Sequence, residues 1–186
     1  MFVELLDRLR CPNDHEDTWL VAAALRTEAR RLVDATLGCP VCEAEFVVRD
    51  GVVVFGEPAP SAPMPAAEDE VMRAAALLHL QERGIYVLDA GWGSLAPALL
   101  PLIPAEYLLV DPPPGIVAGE GVGIMVGIGD RWPLAAASLQ GMALQRTSPP
   151  RVADAVRVLK LRGRLVAPSA VPVPVGVSEL ARDARH

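Results

Sequence analysis

The chain has 186 residues, 52% of them hydrophobic and 22% charged, enough for one medium domain or a small domain beside a compact second one. A net charge of −6 argues against a broad nucleic-acid-binding face, which needs clustered Lys and Arg. The opening Met1-Phe2-Val3-Glu4-Leu5 lacks the basic-then-apolar pattern of a secretory signal, and no apolar stretch reaches a membrane span, so a soluble, cytoplasmic protein is expected.

Residues 2–10 read as a short amphipathic helix or turn that leads into Cys11. Apolar runs at 19–25 and 31–36 predict strands, with residues 26–30 as the turn between them. Residues 46–48 and 52–55 flank Arg49-Asp50-Gly51, and Asp-Gly between β-branched runs is a strong hairpin signal. Residues 56–66 hold four prolines in eleven positions, an extended, semi-stiff linker. The boundary between a first unit (1–55) and a second (67–186) is placed there. A helix is expected over 67–83, with Glu68, Asp69 and Glu70 in a first turn that favours negative charge. Strands follow at 85–88, ending in Asp89, and at 107–110, 122–126, 141–145 and 164–167. Helices are expected at 94–100 and 151–160. This alternation predicts an α/β fold with a mainly parallel, five-stranded open sheet. The basic run Arg157, Lys160, Arg162 and Arg164 is read as a solvated helix end and turn.

Three cysteines, two of them in a Cys-x-x-Cys pair, point to metal ligation and not to a disulfide framework. Cys11-Pro-Asn-Asp-His15 and Cys39-Pro-Val-Cys42 form two close pairs separated by twenty-three residues. Zinc takes four such ligands in a tetrahedron, and two pairs on facing turns supply them. His15 is favoured over Asp14 as the fourth ligand because imidazole binds zinc better beside thiolates. With four ligands the site is expected to be closed and structural, and the ion would staple a small unit. The runs Leu5 to Pro12, Leu37 to Cys42 and Phe46 to Val53, closing on Arg49-Asp50-Gly51, resemble the zinc-ribbon activator subunit of tRNA- and ribosome-modifying methyltransferases. That resemblance covers residues 4–55. It implies a zinc ribbon that works by docking on a methyltransferase and stabilising it.

Val87-Leu88-Asp89-Ala90-Gly91-Trp92-Gly93 follows a predicted strand and precedes a helix. Glycines there let the backbone approach a ligand, and a carboxylate about twenty residues on, Asp111, suits ribose hydroxyls. With Leu109-Val110-Asp111, Gly129-Asp130 and residues 158–166, this run resembles class I S-adenosylmethionine-dependent methyltransferases over 85–167. The resemblance implies a Rossmann-like, methyltransferase-like domain with cofactor contacts at Asp89, Gly91, Gly93, Asp111 and Asp130. Departures accompany it. Leu95 stands for the third glycine, Gln140-Gly141 for an acidic residue near the fourth strand, and Leu161-Arg162 for Pro-Gly. Gly91-x-Gly93-x-x-Ala96 also satisfies a dinucleotide pattern, but Pro97 and Pro101 make a poor helix for a pyrophosphate. Trp92 either stacks on a ligand or plugs the pocket, His79 is expected at a surface or in packing, and no catalytic residue is identified.

Two functions are weighed. One is a non-catalytic zinc-binding accessory or scaffold protein that acts through protein contacts, as a homodimer or on a larger assembly, pairing through an exposed edge at Leu165, Val166 and Ala167. The other is an active S-adenosylmethionine-dependent methyltransferase.

Overall fold

The computed structural model of the protein describes residues 1–81, 83–103 and 105–182. Asp50 and Gly51 both take positive φ, 48° and 78°, as the tightest hairpin turn requires. They fold Glu45–Arg49 (β3) onto Val52–Val54 (β4). Upstream, Val21–Glu28 (β1) and Arg31–Gly38 (β2) pair antiparallel. Their turn is tighter than residues 26–30, because Arg26 is held on the strand. Its guanidinium donates to Asp34 at 2.7 Å, Glu28 at 2.8 Å and Asp50 at 3.2 Å.

After the proline-rich segment come Glu68–Leu77 (α1), Ile85–Asp89 (β5), a 3₁₀ turn at Ala90–Leu95, and Ala96–Leu99 (α2). Glu106–Val110 (β6), Val122–Val126 (β7), Leu139–Ala143 (β8), Pro149–Val158 (α3) and Leu159–Val166 (β9) complete the described elements. The helix expected over 67–83 stops at Leu77. His79 takes φ 50° and turns the chain away, and residue 82 lies outside the described residues. The expected helix at 94–100 is α-helical over Ala96–Leu99, its first two residues closing the 3₁₀ turn. α3 starts two residues early because Ser148 caps it, accepting from the Arg151 N–H at 3.2 Å, and because prolines fit a first helical turn.

All nine strands form one sheet in the order β1-β2-β3-β4-β7-β6-β5-β8-β9. The first three junctions are antiparallel and the other five parallel. The sequence suggests five strands standing apart from the N-terminal lobe. Instead, β4 adds to the edge strand β7 through Val52↔Ile124, Val53↔Met125 and Val54↔Val126. The run of three valines serves a hairpin on one side and a parallel partner on the other, and Val53 is fully buried. Counted in the order they occur after the linker, the parallel strands lie third, second, first, fourth, fifth.

Successive residues of a strand point to opposite faces, and the core divides accordingly. Val87, Leu108 and Val110 join a cluster with Leu5, Leu9, Cys11, Cys39, Trp132 and the α3 residues Val152, Ala155 and Val158. Tyr86, Leu88, Tyr107 and Leu109 join the opposite cluster with Val71, Leu78, Trp92, Leu95 and Leu99. Among the described residues no helix is long and apolar enough to cross a membrane.

Candidate functional site

Cys11 and His15 follow a short 3₁₀ helix, Val3–Arg8, which falls within the helix or turn expected over 2–10, and Cys39 and Cys42 sit in the turn between β2 and β3. Their four ligand atoms lie within 4.8 Å of one another. The Cys11 and Cys42 sulfurs are 3.7 Å apart, too far for a disulfide, whose bond is about 2.05 Å. Cys39 Sγ and His15 Nε2 are 3.4 Å apart. Zinc–ligand bond lengths predict tetrahedral edges of about 3.8 Å for two sulfurs and about 3.6 Å for sulfur and nitrogen. The donor set therefore fits a four-coordinate ion and is compatible with structural zinc. His15 belongs to this cluster, whereas Asp14 is exposed outside it. The Glu16 carbonyl lies 2.7 Å from His15 Nδ1. A carbonyl only accepts, so Nδ1 carries the proton and Nε2 is left for the metal. The backbone N–H of Ala44 and the side-chain amide of Asn13 stabilise the Cys42 thiolate and draw its pKa down to about 6. Burial pushes the Cys11 thiol up to about 12.

This cluster is tied to the second half of the chain. Arg131 Nη1 donates to the Asn13 carbonyl at 2.8 Å. The Arg10 N–H donates to Pro133 at 3.0 Å and the Ala135 N–H to Arg8 at 2.7 Å. Trp132, fully buried between them, donates from Nε1 to the Arg151 carbonyl at 3.1 Å, and the Arg151 guanidinium lies 4.1 Å above its ring.

The second candidate site lies at the carboxyl ends of the parallel strands, where open α/β sheets place ligands. Asp89 ends β5 and Asp111 follows β6, with neither side chain exposed. Between them sits Arg146, three residues beyond β8. Its Nη2 donates to Asp89 at 2.6 Å and its Nη1 lies 2.8 Å from Asp111 Oδ2. Burial alone would lower the Arg146 guanidinium, yet the two carboxylates hold it above the ordinary arginine value. Arg151, 5% exposed, donates to Asp89 from the other side at 3.0 Å. Burial draws this arginine below its ordinary value. The Gln145 and Arg146 N–H groups complete the Asp89 carboxylate at 3.1 and 2.8 Å. The Gly127 N–H donates to Asp111 at 2.7 Å. Two anions and two cations thus close on one another, while Asp111 Oδ2, held only by its ion pair with Arg146, and the Nε atoms of Arg146 and Arg151 make no hydrogen bond.

The glycine turn is covered as well. A Cβ built on Gly91 would meet Gln145 Oε1 at 2.6 Å and the Ala62 carbonyl at 2.7 Å. The close approach that a glycine permits is thus taken up by the chain itself. The Gly91 N–H donates to Gln145 Oε1 at 2.7 Å, and the Met64 N–H to Ser94 Oγ at 3.3 Å. The proline-rich segment accordingly runs from β4 past Gly127 and over the turn to α1. Gly93 is buried against Pro112, and Trp92 is a core residue, 1% exposed. Asp130 is exposed and accepts from Ser148 Oγ at 2.5 Å. It borders a shallow recess of about 220 Å³ with Ile128, Gly129, Arg146 and Arg151.

Sequence reasoning placed the two carboxylates but missed Arg146, Arg151 and Gln145. Three residues beyond β8, a cation faces the carboxylates that end the neighbouring strands, and that adjacency was the available signal. Arg157 also differs from its reading as a solvated cation. It is half-buried and donates to Leu134 at 2.9 Å, Trp132 at 3.0 Å and Asp154 at 2.6 Å. His79 is exposed just beyond α1. No protein-family model matches the chain, and no curated protein matches it.

Proposed function

We propose that the protein is a non-catalytic, zinc-binding accessory protein: a zinc ribbon docked in cis on a Rossmann-like, methyltransferase-like sheet whose cofactor pocket is filled from within. The observation that carries this reading is Arg146 seated between Asp89 and Asp111. The positions that resemble cofactor contacts are spent on an internal cation, and the glycine turn lies beneath the linker. The remaining recess of about 220 Å³ falls below the roughly 300–1,000 Å³ of small-molecule sites. The strand order, third-second-first-fourth-fifth, agrees with a doubly wound nucleotide-binding sheet and supports the domain's resemblance without requiring activity.

The ribbon family is expected to act by docking on a methyltransferase. Here β4 extends such a sheet through β7 within one chain, so the docking is already satisfied. Zinc, held by Cys11, His15, Cys39 and Cys42, would supply cross-linking and not catalysis, because four protein ligands leave no open position. Isothermal titration with S-adenosylmethionine tests the reading. Absence of saturable heat at millimolar ligand is expected. Saturable binding with stoichiometry near one would favour the alternative, an active S-adenosylmethionine-dependent methyltransferase.

A further inference from the structure

Leu165, Val166 and Ala167 are not the open edge that the sequence suggests. Residues 168–182 lie beside them and enclose a cleft of about 320 Å³, within the roughly 300–1,000 Å³ of small-molecule sites. Prolines at 168, 172 and 174 keep this segment out of helix and sheet, because they fix φ and have no N–H to donate. It makes two successive turns, with the Val171 N–H donating to Pro168 at 2.9 Å and the Val177 N–H to Pro174 at 3.2 Å. Arg182 closes the segment into a loop. Its Nη1 donates to the Ser169 carbonyl at 2.7 Å, and its Nη2 and Nε donate to Glu179 at 2.8 and 3.1 Å. Ala76 and Leu77, at the end of α1, form one wall of the cleft, and Val166, Val171 and Val177 contribute to the others.

Three charged residues border this apolar space, Arg164, Glu179 and Arg182. The last two are paired with each other. Arg164 is half-buried, and among the described residues its guanidinium has no hydrogen bond or ion pair. Alternation along β9 puts Arg164 on the face of Val166, and Val166 belongs to the cluster that holds Val71, Ala74 and Leu78 from α1 and its cap. The free cation therefore stands on the α1 side of the sheet, where the cleft lies. Lys160 and Arg162 precede it on the strand and raise the local positive potential, on a chain whose net charge is −6. The carbonyl end of α1 opposes this with only about half a negative charge.

We propose that the cleft binds a small amphipathic monocarboxylate, of the class of medium-chain fatty acids. Arg164 holds the carboxylate, and the alkyl chain lies against Leu77, Val166 and Val171. A guanidinium fork matches the planar carboxylate, and one free cation among apolar walls selects one negative charge with an apolar tail. The cleft shares no residue with the metal cluster or with the Asp89–Asp111 site, so it stands whether or not that site takes a cofactor.

Equilibrium dialysis of the full chain against labelled decanoate, up to low millimolar concentration, provides the test. Saturable binding at one site is expected, and each methylene removed from the ligand should weaken it about three- to fourfold. Decanol, which lacks the charge, should bind at least about tenfold more weakly. Arg164→Met should weaken decanoate by at least about tenfold and leave decanol unchanged. Lys160→Met removes the same charge from the same strand outside the cleft, and should cost less than about threefold because salt screens it. Ala76 is exposed, and Glu and Lys both suit a helix, so Ala76→Glu and Ala76→Lys should keep the wild-type circular dichroism. The first should weaken decanoate and the second should not. Absence of saturable binding overturns the proposal, as does equal affinity for decanoate and decanol. Equal losses in Arg164→Met and Lys160→Met, or equal effects of the two Ala76 variants, overturn it too.

Discussion

Arg146→Met keeps most of the side chain's length and removes the cation that bridges two buried carboxylates. In the wild type, Asp111 has two partners, Arg146 at 2.8 Å and the Gly127 N–H at 2.7 Å. Asp89 retains Arg151 and two backbone N–H groups after the change. The loss therefore falls mainly on Asp111. Removing one partner of a buried ion pair typically costs about 3–5 kcal/mol. The Arg146 side chain is 28% exposed, so partial solvent screening brings the expectation to about 2–3 kcal/mol. For a protein of this size that corresponds to a fall in Tm of roughly 4–12 °C. The double variant Arg146→Met with Asp111→Asn removes the stranded anion and keeps an acceptor for Gly127. It should recover at least about half of the loss, because a buried pair exchanged for neutral groups is often tolerated. Urea unfolding monitored by circular dichroism measures all three proteins. An Arg146→Met variant within about 0.5 kcal/mol of wild type, or a double variant weaker than the single one, would refute the internal-cation account of the pocket.

Other expectations test other parts of the molecule. Chelation of zinc, or Cys39→Ser, should unfold the N-terminal lobe and lower Tm, with loss of bound metal measured by elemental analysis; protein purified metal-free at unchanged Tm would contradict the metal centre. Gly127→Ala should cost about 2–5 kcal/mol in urea unfolding, since its φ is +71° and a Cβ would fall 2.2 Å from the Gly56 carbonyl carbon. Ser148→Ala removes the α3 cap and should cost about 0.5–2 kcal/mol by the same assay. The Met1 amino group, buried and also repelled by Arg31, is held at about 6 instead of 8.0. The unfolded chain then binds the proton more tightly, so stability should be full above pH 8 and fall by about 1–2 kcal/mol as pH drops through 6, after allowance for partial solvation. Thermal melts across that window check it, and amino-terminal acetylation should flatten this part of the profile.

The strands were legible where local chemistry alone decides them. Asp50-Gly51 announced its hairpin, and Tyr86–Leu88 and Tyr107–Val110 read as buried strands because both faces are covered. The convergence of Cys11, His15, Cys39 and Cys42 was legible because ligand type and spacing carry the geometry. What escaped were pairings between distant segments. Nothing in Val52–Val54 tells that its second partner is β7, since any β-branched run suits either side of a sheet. Arg146 lies more than thirty residues from both Asp89 and Asp111, and an arginine after a strand looks the same whether it meets solvent or carboxylates. The linker was recognised as extended from its prolines, but its path over Gly91 depends on where β4 and α1 end in space.

The β4–β7 seam has a consequence for how the halves of this molecule meet. As separate polypeptides they would associate bimolecularly and come apart on dilution. Joined by a dozen residues, they see one another at an effective concentration of about millimolar, with stoichiometry fixed at one to one. Cutting the tether between residues 57 and 62 would convert a concentration-independent closure into an ordinary equilibrium, and would uncover the glycine turn in the same stroke.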